Sequence, residues 1–275
     1  MIIGIDIGST TTKAVSISEG GEIQKIKTKA TDAVTSATGA FGKMLMENNY
    51  RIGDIDRIMI TGTGASKIRN DIFGIPTERV DEIQSIGIGG MFLSGKDDIV
   101  IANIGTGTVF IDASRDRIIH LGGSGVGGGA IQGLAKKLIS MSDFNGIMEL
   151  AARGNLNQVD LNMEDITDVG LSFLGRDTTA SNFGKMLDTA RNEDLALGIL
   201  NMVYQVIGML SVFAAKGKHS DRVIVTGNGS HNPIGKKILD AITEMYAVHF
   251  EYPEDAEYTT AIGAGLSCHH GTPAS

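Results

Sequence analysis

Apolar positions fall into short runs and longer periodic segments. Ile2–Asp6, Lys13–Ser18, Arg57–Thr61, Ile99–Asn103, Val109–Asp112, Ile118–Leu121 and Arg222–Thr226 are short stretches rich in isoleucine and valine, and each predicts a strand. Apolar positions recurring every three or four residues predict helices over Ala30–Asn48, Glu82–Leu93, Ala130–Leu138, Phe144–Arg153, Glu193–Lys216 and Ile234–Tyr246. The pattern is that of an α/β protein. The most apolar segment, Leu195–Ala215, is interrupted by Asn201, Tyr204, Gln205 and Gly208, which predicts a buried helix and not a membrane span.

Two patterns recur in the same order. Ile2–Ile17 reads IIGIDIGSTTTKAVSI and Ile99–Asp112 reads IVIANIGTGTVFID, each a strand, a small-residue turn and a second strand. Asp6 aligns with Asn103, Gly8 with Gly105, Ser9 with Thr106 and Thr11 with Thr108. Asp56–Ala65 (DRIMITGTGA) and Asp221–Ser230 (DRVIVTGNGS) are both buried strands ending in Thr-Gly-x-Gly. Two motifs repeated in order predict two halves of similar fold, residues 1–95 and 96–275, divided at the polar step Ser94–Asp98. The second half is longer because of extra helical sequence between about Gly123 and Asn192.

Composition narrows the function. A chain of 275 residues, 42% hydrophobic, can form two lobes of about 100–150 residues each. Its net charge of −8 and the lack of a Lys/Arg cluster argue against nucleic acid as the main partner. The single cysteine, Cys268, excludes an intrachain disulfide and a Cys-rich metal site within one subunit. No basic segment precedes the short apolar run Met1–Ile7, so a cytoplasmic protein is expected.

The turns suggest phosphate chemistry. In Asp6-Ile7-Gly8-Ser9-Thr10-Thr11-Thr12-Lys13, Gly8 allows close backbone approach, successive amides and hydroxyls suit an anion, and Lys13 adds a cation. Asp6 suits a magnesium ion, held directly or through water. An ordinary Gly-Ser hairpin has the same local sequence. The turn Asn103–Thr108 repeats the logic without the acid. The run Gly122–Gly129 leads into a helix, and a helix N-terminus favours anions. Its Gly123-x-Gly125-x-x-Gly128 spacing matches a dinucleotide fingerprint, but no βαβ unit with a ribose-binding acid accompanies it. Gly90–Lys96 resembles a P-loop, yet Asp97 stands where Ser or Thr is required.

Glu82 follows Asp81 at a helix start and is a candidate general base, although an acid there also fits the helix dipole. Asp81 is the better cap, which leaves Glu82 free. The histidines show no ligand spacing, and neither a zinc cluster nor a GxSxG motif is present.

These residues carry a family resemblance over nearly the whole chain. The duplicated hairpins and TGxG strands resemble the superfamily of sugar kinases, actin and the heat-shock ATPases. Within it, DIGSTTTK (Asp6–Lys13), Glu82, ANIGTGT (Ala102–Thr108), GGSGVGGGAIQGL (Gly122–Leu134), TASNFGKM (Thr179–Met186) and AIGAG (Ala261–Gly265) resemble type II pantothenate kinases. The resemblance implies two actin-like (ribonuclease H-like) lobes around a nucleotide cleft. It also implies ATP and Mg2+ as cofactors and transfer of a phosphoryl group to the primary hydroxyl of pantothenate.

Asp6, Gly8, Ser9, Thr10, Thr11, Thr12 and Lys13 would hold phosphates, with the metal at Asp6. Gly105, Thr106, Gly107, Gly227 and Asn228 would complete the phosphate clamp. Gly128, Gly129, Ala130, Ile131, Gln132 and Phe144 would line the nucleotide. Glu82 would be the base, and Glu82, Thr106 and His120 would meet the acceptor. The family carries an arginine at the His120 position, where it helps bind pantothenate; histidine cannot make the forked contact. Implied partners are the small-molecule substrate and a second copy of the chain, with coenzyme A or its thioesters as candidate feedback ligands.

Three other readings compete. The activating ATPases of 2-hydroxyacyl-CoA dehydratases begin with a similar DxGSTTTK, but they bridge an iron–sulfur cluster with two cysteines per subunit. A kinase for pantetheine, a sugar or an amino sugar would share the chemistry, although sugar kinases place an aspartate base in an Asn-Asp setting unlike Asn192-Glu193-Asp194. A non-catalytic nucleotide sensor has no need of Asp6, Lys13 and Glu82 together.

Overall fold

A computed structural model describes residues 1–167 and 175–269; His270, which the sequence places in a polar tail, lies outside them. The first half contains β1 (Ile2–Ile7), β2 (Thr11–Ile17), β3 (Ile23–Lys29), α1 (Ala33–Asn48), β4 (Arg57–Thr61), β5 (Thr77–Arg79) and α2 (Glu82–Ser94). The second contains β6 (Asp98–Ile104), β7 (Thr108–Ser114), β8 (Ile118–Ser124), α3 (Gly128–Leu138), α4 (Phe144–Ala151), β9 (Leu161–Asn162), α5 (Met163–Ile166) and β10 (Thr179–Ser181). It continues through α6 (Asn192–Gly217), β11 (Arg222–Thr226), α7 (Pro233–Tyr246), β12 (His249–Glu251) and α8 (Thr259–Leu266).

The duplication is visible in the sheets. The first has strand order β3-β2-β1-β4-β5, and the second, read from its β8 edge, is β8-β7-β6-β11-β12. In each, three antiparallel strands made by two hairpins continue into two parallel ones. Alternation along β1 sends Ile3, Ile5 and Ile7 to α1, where they pack with Phe41 and Met44. Gly4 faces the other way, towards α8. Likewise Val100, Ala102 and Ile104 of β6 pack with Val203 and Ile207 of α6, while Ile99 and Ile101 turn to Ile86 of α2. α6 is long and apolar enough to cross a bilayer, but more than half of its most apolar stretch is buried in this second core.

The last helix of each half packs on the sheet of the other. α2 lies on β6, β7 and β8, and α8 lies on β1, β2 and β4. They cross backbone to backbone. A Cβ at Gly89 would sit 2.0 Å from the Thr259 carbonyl oxygen, and one at Gly263 would sit 1.7 Å from that of Ser85. One at Gly4 would meet the Ala261 carbonyl at 2.1 Å, so α8 rests on β1 at its glycine.

Several elements lie outside the sequence expectations. β3 is a lysine-bearing edge strand with one buried residue, so it shows no apolar alternation. β5 and β12 have only three residues each. α8 carries two glycines in eight residues and is helical because it is packed between a sheet and α2, against its weak propensity.

The TASNFGKM segment is not at the cleft. It wraps a buried carboxylate, Asp160, which accepts from Phe183 N (2.8 Å), Asn201 Nδ2 (2.8 Å), Thr179 Oγ1 (3.2 Å) and Asn182 Nδ2 (3.4 Å). That network fastens the inserted segment to α6.

Gly89→Ala should destabilise the protein by about 2 kcal/mol or more, because a backbone clash outweighs the ~1 kcal/mol gain in helix propensity. Gly42→Ala in α1, with nothing within 4 Å of the added carbon, should stabilise it by ~0.5–1 kcal/mol. Urea unfolding of the two variants checks both signs.

Candidate active site

The cleft between the sheets is bounded by two turns, Gly8–Thr10 after β1 and Gly105–Gly107 after β6. They touch through Ser9 Oγ and Thr106 Oγ1 at 2.9 Å. Each TGxG motif braces the turn of its own half. Gly62 (φ +85°) lies against Asp6, where a Cβ would come within 2.5 Å of Oδ1. Gly227 (φ +80°) lies against Asn103, where the distance to Oδ1 would be 2.9 Å. At the second glycines, Gly64 and Gly229, an added Cβ would come within 2.3 Å of the Ile7 and Ile104 side chains. Only a residue lacking Cβ fits these close approaches.

Two adjoining cavities occupy the cleft. The larger, about 460 Å³, brings together Asp6, Gly8, Ser9, Thr10, Thr11, Lys13, Gly105, Thr106, Gly107, Gly227 and Asn228 with the acceptor candidates Glu82 and His120. The smaller, about 260 Å³, shares Thr10, Thr11, Gly105, Thr106 and Asn228 and adds Gly128, Gly129, Ile131, Gln132 and Phe144. A nucleoside triphosphate across the shared wall would place its base beside Phe144 and its far phosphate towards Glu82. Thr12 and Ala130 border neither cavity. Thr12 pairs with Ile7 and points to the α1 side, where its hydroxyl is buried without a partner.

The glycine run does something other than hold an anion on free helix amides. Gly128 N donates to Gly105 O and Gly129 N to Thr106 O, both at 2.9 Å, so the first amides of α3 fix the second turn. The helix borders the smaller cavity with Gly128 and Gly129 of its first turn and with the flank at Ile131 and Gln132.

The two sheets present different chemistry to the cleft. Strand register puts Thr61, Asp6, Lys13 and Lys27 in one row across β4, β1, β2 and β3. The equivalent row of the second sheet is Thr226, Asn103, Val109 and Gly123, which is uncharged. Thr226 Oγ1 donates to Asn103 Oδ1 at 3.0 Å.

Burial pushes the Asp6 carboxyl up to about 6; Lys13 opposes the shift and Glu82 adds to it. Burial lowers Lys13, against the pull of Asp6, and its ammonium donates to the Glu257 carbonyl at 2.6 Å. Burial also raises Glu82, helped by Asp81. Asp81 is the helix cap, accepting from Gln84 N at 3.0 Å, and leaves the Glu82 carboxylate to the cavity.

Among the described residues no group of three or more His, Cys, Asp or Glu side chains converges. A cation here would therefore rest on Asp6, phosphate oxygens and water, a donor set that suits magnesium. Asp6's incompletely offset burial fits that role.

Sequence reasoning missed Thr63, Val109 and Thr260 on the larger cavity and Lys27, Tyr204 and Gly229 on the smaller. The duplication carried the signal for Thr63, the counterpart of Asn228.

The family model described as Fumble matches residues 98–266. A type II pantothenate kinase of Bacillus thuringiensis subsp. konkukian (strain 97-27) is 31% identical over 96% of both chains. Among solved structures, the activator of the 2-hydroxyisocaproyl-CoA dehydratase from Clostridium difficile with bound ADPNP superposes with a TM-score of 0.68. It is 18% identical and covers 100% of this chain and 99% of its own. A ROK family glucokinase from Streptomyces griseus, in complex with glucose and AMPPNP, gives 0.61 at 14% identity, with 98% and 99% covered. These likenesses show the two-lobed actin-like fold that the family resemblance implies, with the two similar halves that the repeated motifs predict.

Folded Asp6 holds its proton to higher pH than unfolded Asp6, so its contribution to stability is full below pH 3.8 and is lost as pH rises to about 6. Between pH 4.5 and 7.5 the loss is about 2 kcal/mol. Asp6→Asn should remove that decline, read as the difference in urea-unfolding free energy at the two pH values. The same pH dependence in both proteins would contradict this assignment.

Proposed function

The chain belongs to the type II pantothenate kinase (Fumble) family, and from that premise we propose that it transfers the γ-phosphoryl group of ATP to the primary hydroxyl of pantothenate. It is an enzyme, a kinase of this family. The observation that carries the proposal is the convergence of Asp6, Lys13 and Glu82 on one cavity beneath two facing Gly-hydroxyl turns.

The turn amides and hydroxyls at Ser9–Thr11 and Gly105–Gly107 bind the phosphates, and Lys13 offsets their charge. Magnesium bound at Asp6 would neutralise further charge on the phosphate oxygens. Glu82 orients the acceptor hydroxyl and takes its proton as the oxygen bonds to the γ-phosphorus. The bond to the bridging oxygen of ADP breaks in the same displacement. A raised proton affinity suits a carboxylate to this task at neutral pH.

His120 stands at the acceptor end with Glu82, where the cavity wall is otherwise the uncharged row of the second sheet. A carboxylate-bearing acceptor gains no fixed positive charge there, so pantetheine, its neutral relative, is the competing acceptor. A homodimer built on the second half, which the family resemblance implies, is proposed here too.

Acceptor-dependent ADP release with magnesium-ATP tests the reading. Pantothenate is expected to stimulate it, and Glu82→Gln should keep ATP binding while losing ~10²–10⁴-fold in turnover. Release that ignores pantothenate, pantetheine and sugars alike would make the protein an ATPase and overturn the proposal. His120→Arg should lower the KM for pantothenate about tenfold, through one added charge-assisted contact, and leave that for pantetheine unchanged.

A further inference from the structure

The described residues lining the two cavities include two lysines, and the mechanism so far uses only one. Lys13 is buried, with Asp6 beside it and its ammonium on the Glu257 carbonyl. Lys27 is its cross-strand neighbour on β3, on the same face of the sheet. Its side chain lines the smaller cavity together with Thr10, Thr11, Gly105, Thr106 and Asn228, the residues of the two clamping turns. Its ammonium is bonded to Glu257 Oε2 at 2.5 Å, and the two side chains are 42% and 22% exposed. Glu257 belongs to the turn before α8, so the pair spans the mouth of the cleft from one half to the other.

We propose that Lys27 is a second cationic ligand for nucleotide phosphate and that Glu257 is its resting partner, exchanged for a phosphate oxygen when the nucleotide enters. The inference rests on the ATP reading above but is independent of the acceptor. Three features support it. The lysine sits on the phosphate wall, in the row that already holds Asp6 and Lys13. A half-exposed ion pair contributes little in water, so exchanging it is easy. A flexible ammonium with three donors suits an anion approaching from solvent. The second half has Gly123 at the equivalent position, so the charge is confined to the side of the cleft that faces the phosphates.

The test is direct binding of a magnesium-bound, unhydrolysable ATP analogue and of adenosine by the parent, Lys27→Met, Lys27→Arg and Glu257→Gln. A thermal melt of each controls for folding; the substituted side chains are solvent-accessible, so the variants are expected to fold. Lys27→Met should weaken the analogue about tenfold and leave adenosine unchanged. Lys27→Arg should restore most of the loss, and Glu257→Gln should leave the analogue as tight or tighter. Equal weakening by Lys27→Met and Glu257→Gln would show a fastening between the halves and overturn the proposal, as would unchanged binding by Lys27→Met. If the parent bound no analogue, the ATP reading itself would fall, a result separate from either of these.

Discussion

The contact between α2 and α8, made through glycines and carbonyl oxygens, fixes the geometry of this protein. Each helix comes from one half and lies on the sheet of the other, so the crossing at Gly89 and Gly263 sets how the two sheets face. It also sets the site. Glu82 is the first residue of α2, and Thr260 near the start of α8 borders the same cavity. A side chain at the crossing would push the helices apart and move the carboxylate away from the turns it must serve. Protein interiors are close-packed, and backbone cannot step aside as a flexible side chain can.

On that frame the duplicated halves have diverged. The bracing glycines are the same in both, Gly62 and Gly64 against the first turn and Gly227 and Gly229 against the second. The rows they brace differ. Asp6, Lys13 and Lys27 give the first sheet charge, and Asn103, Val109 and Gly123 give the second none. On the function proposed above, polyphosphate and metal would lie with the former, and an acceptor of low charge with the latter. The cost of the arrangement is a carboxyl and an ammonium both displaced by burial from their ordinary proton affinities. A bound cation and phosphates would relieve that cost.

The turns and the repeat were legible in the sequence because glycine, threonine and an acid at fixed spacing follow from close backbone approach and leave few alternatives. The Asp6 turn could be singled out for the same reason, whereas Glu82 was marked by its place at a helix start beside a better cap, and His120 by the family resemblance alone. What escaped depends on tertiary surroundings. β3 reads as polar because an edge strand needs lysines more than apolar residues, and with it went Lys27, whose meaning comes from its cross-strand neighbour Lys13. α8 has weak propensity and forms because it is packed. The TASNFGKM segment is distinctive in sequence, yet it answers to Asp160, buried about twenty residues earlier, and not to the ligand. Thr12 looks like its neighbours in the turn but has entered β2, where strand alternation carries it away from the cleft.

The most direct test of this division of labour is a structure of the protein with magnesium and an unhydrolysable ATP analogue. The triphosphate is expected between the Ser9–Thr11 and Gly105–Gly107 turns, with the base beside Phe144 and Gln132, the metal at Asp6, and the Ser9–Thr106 contact parted. A triphosphate lying instead along Val109, Gly123 and His120, with the charged row of the first sheet left to solvent, would contradict it.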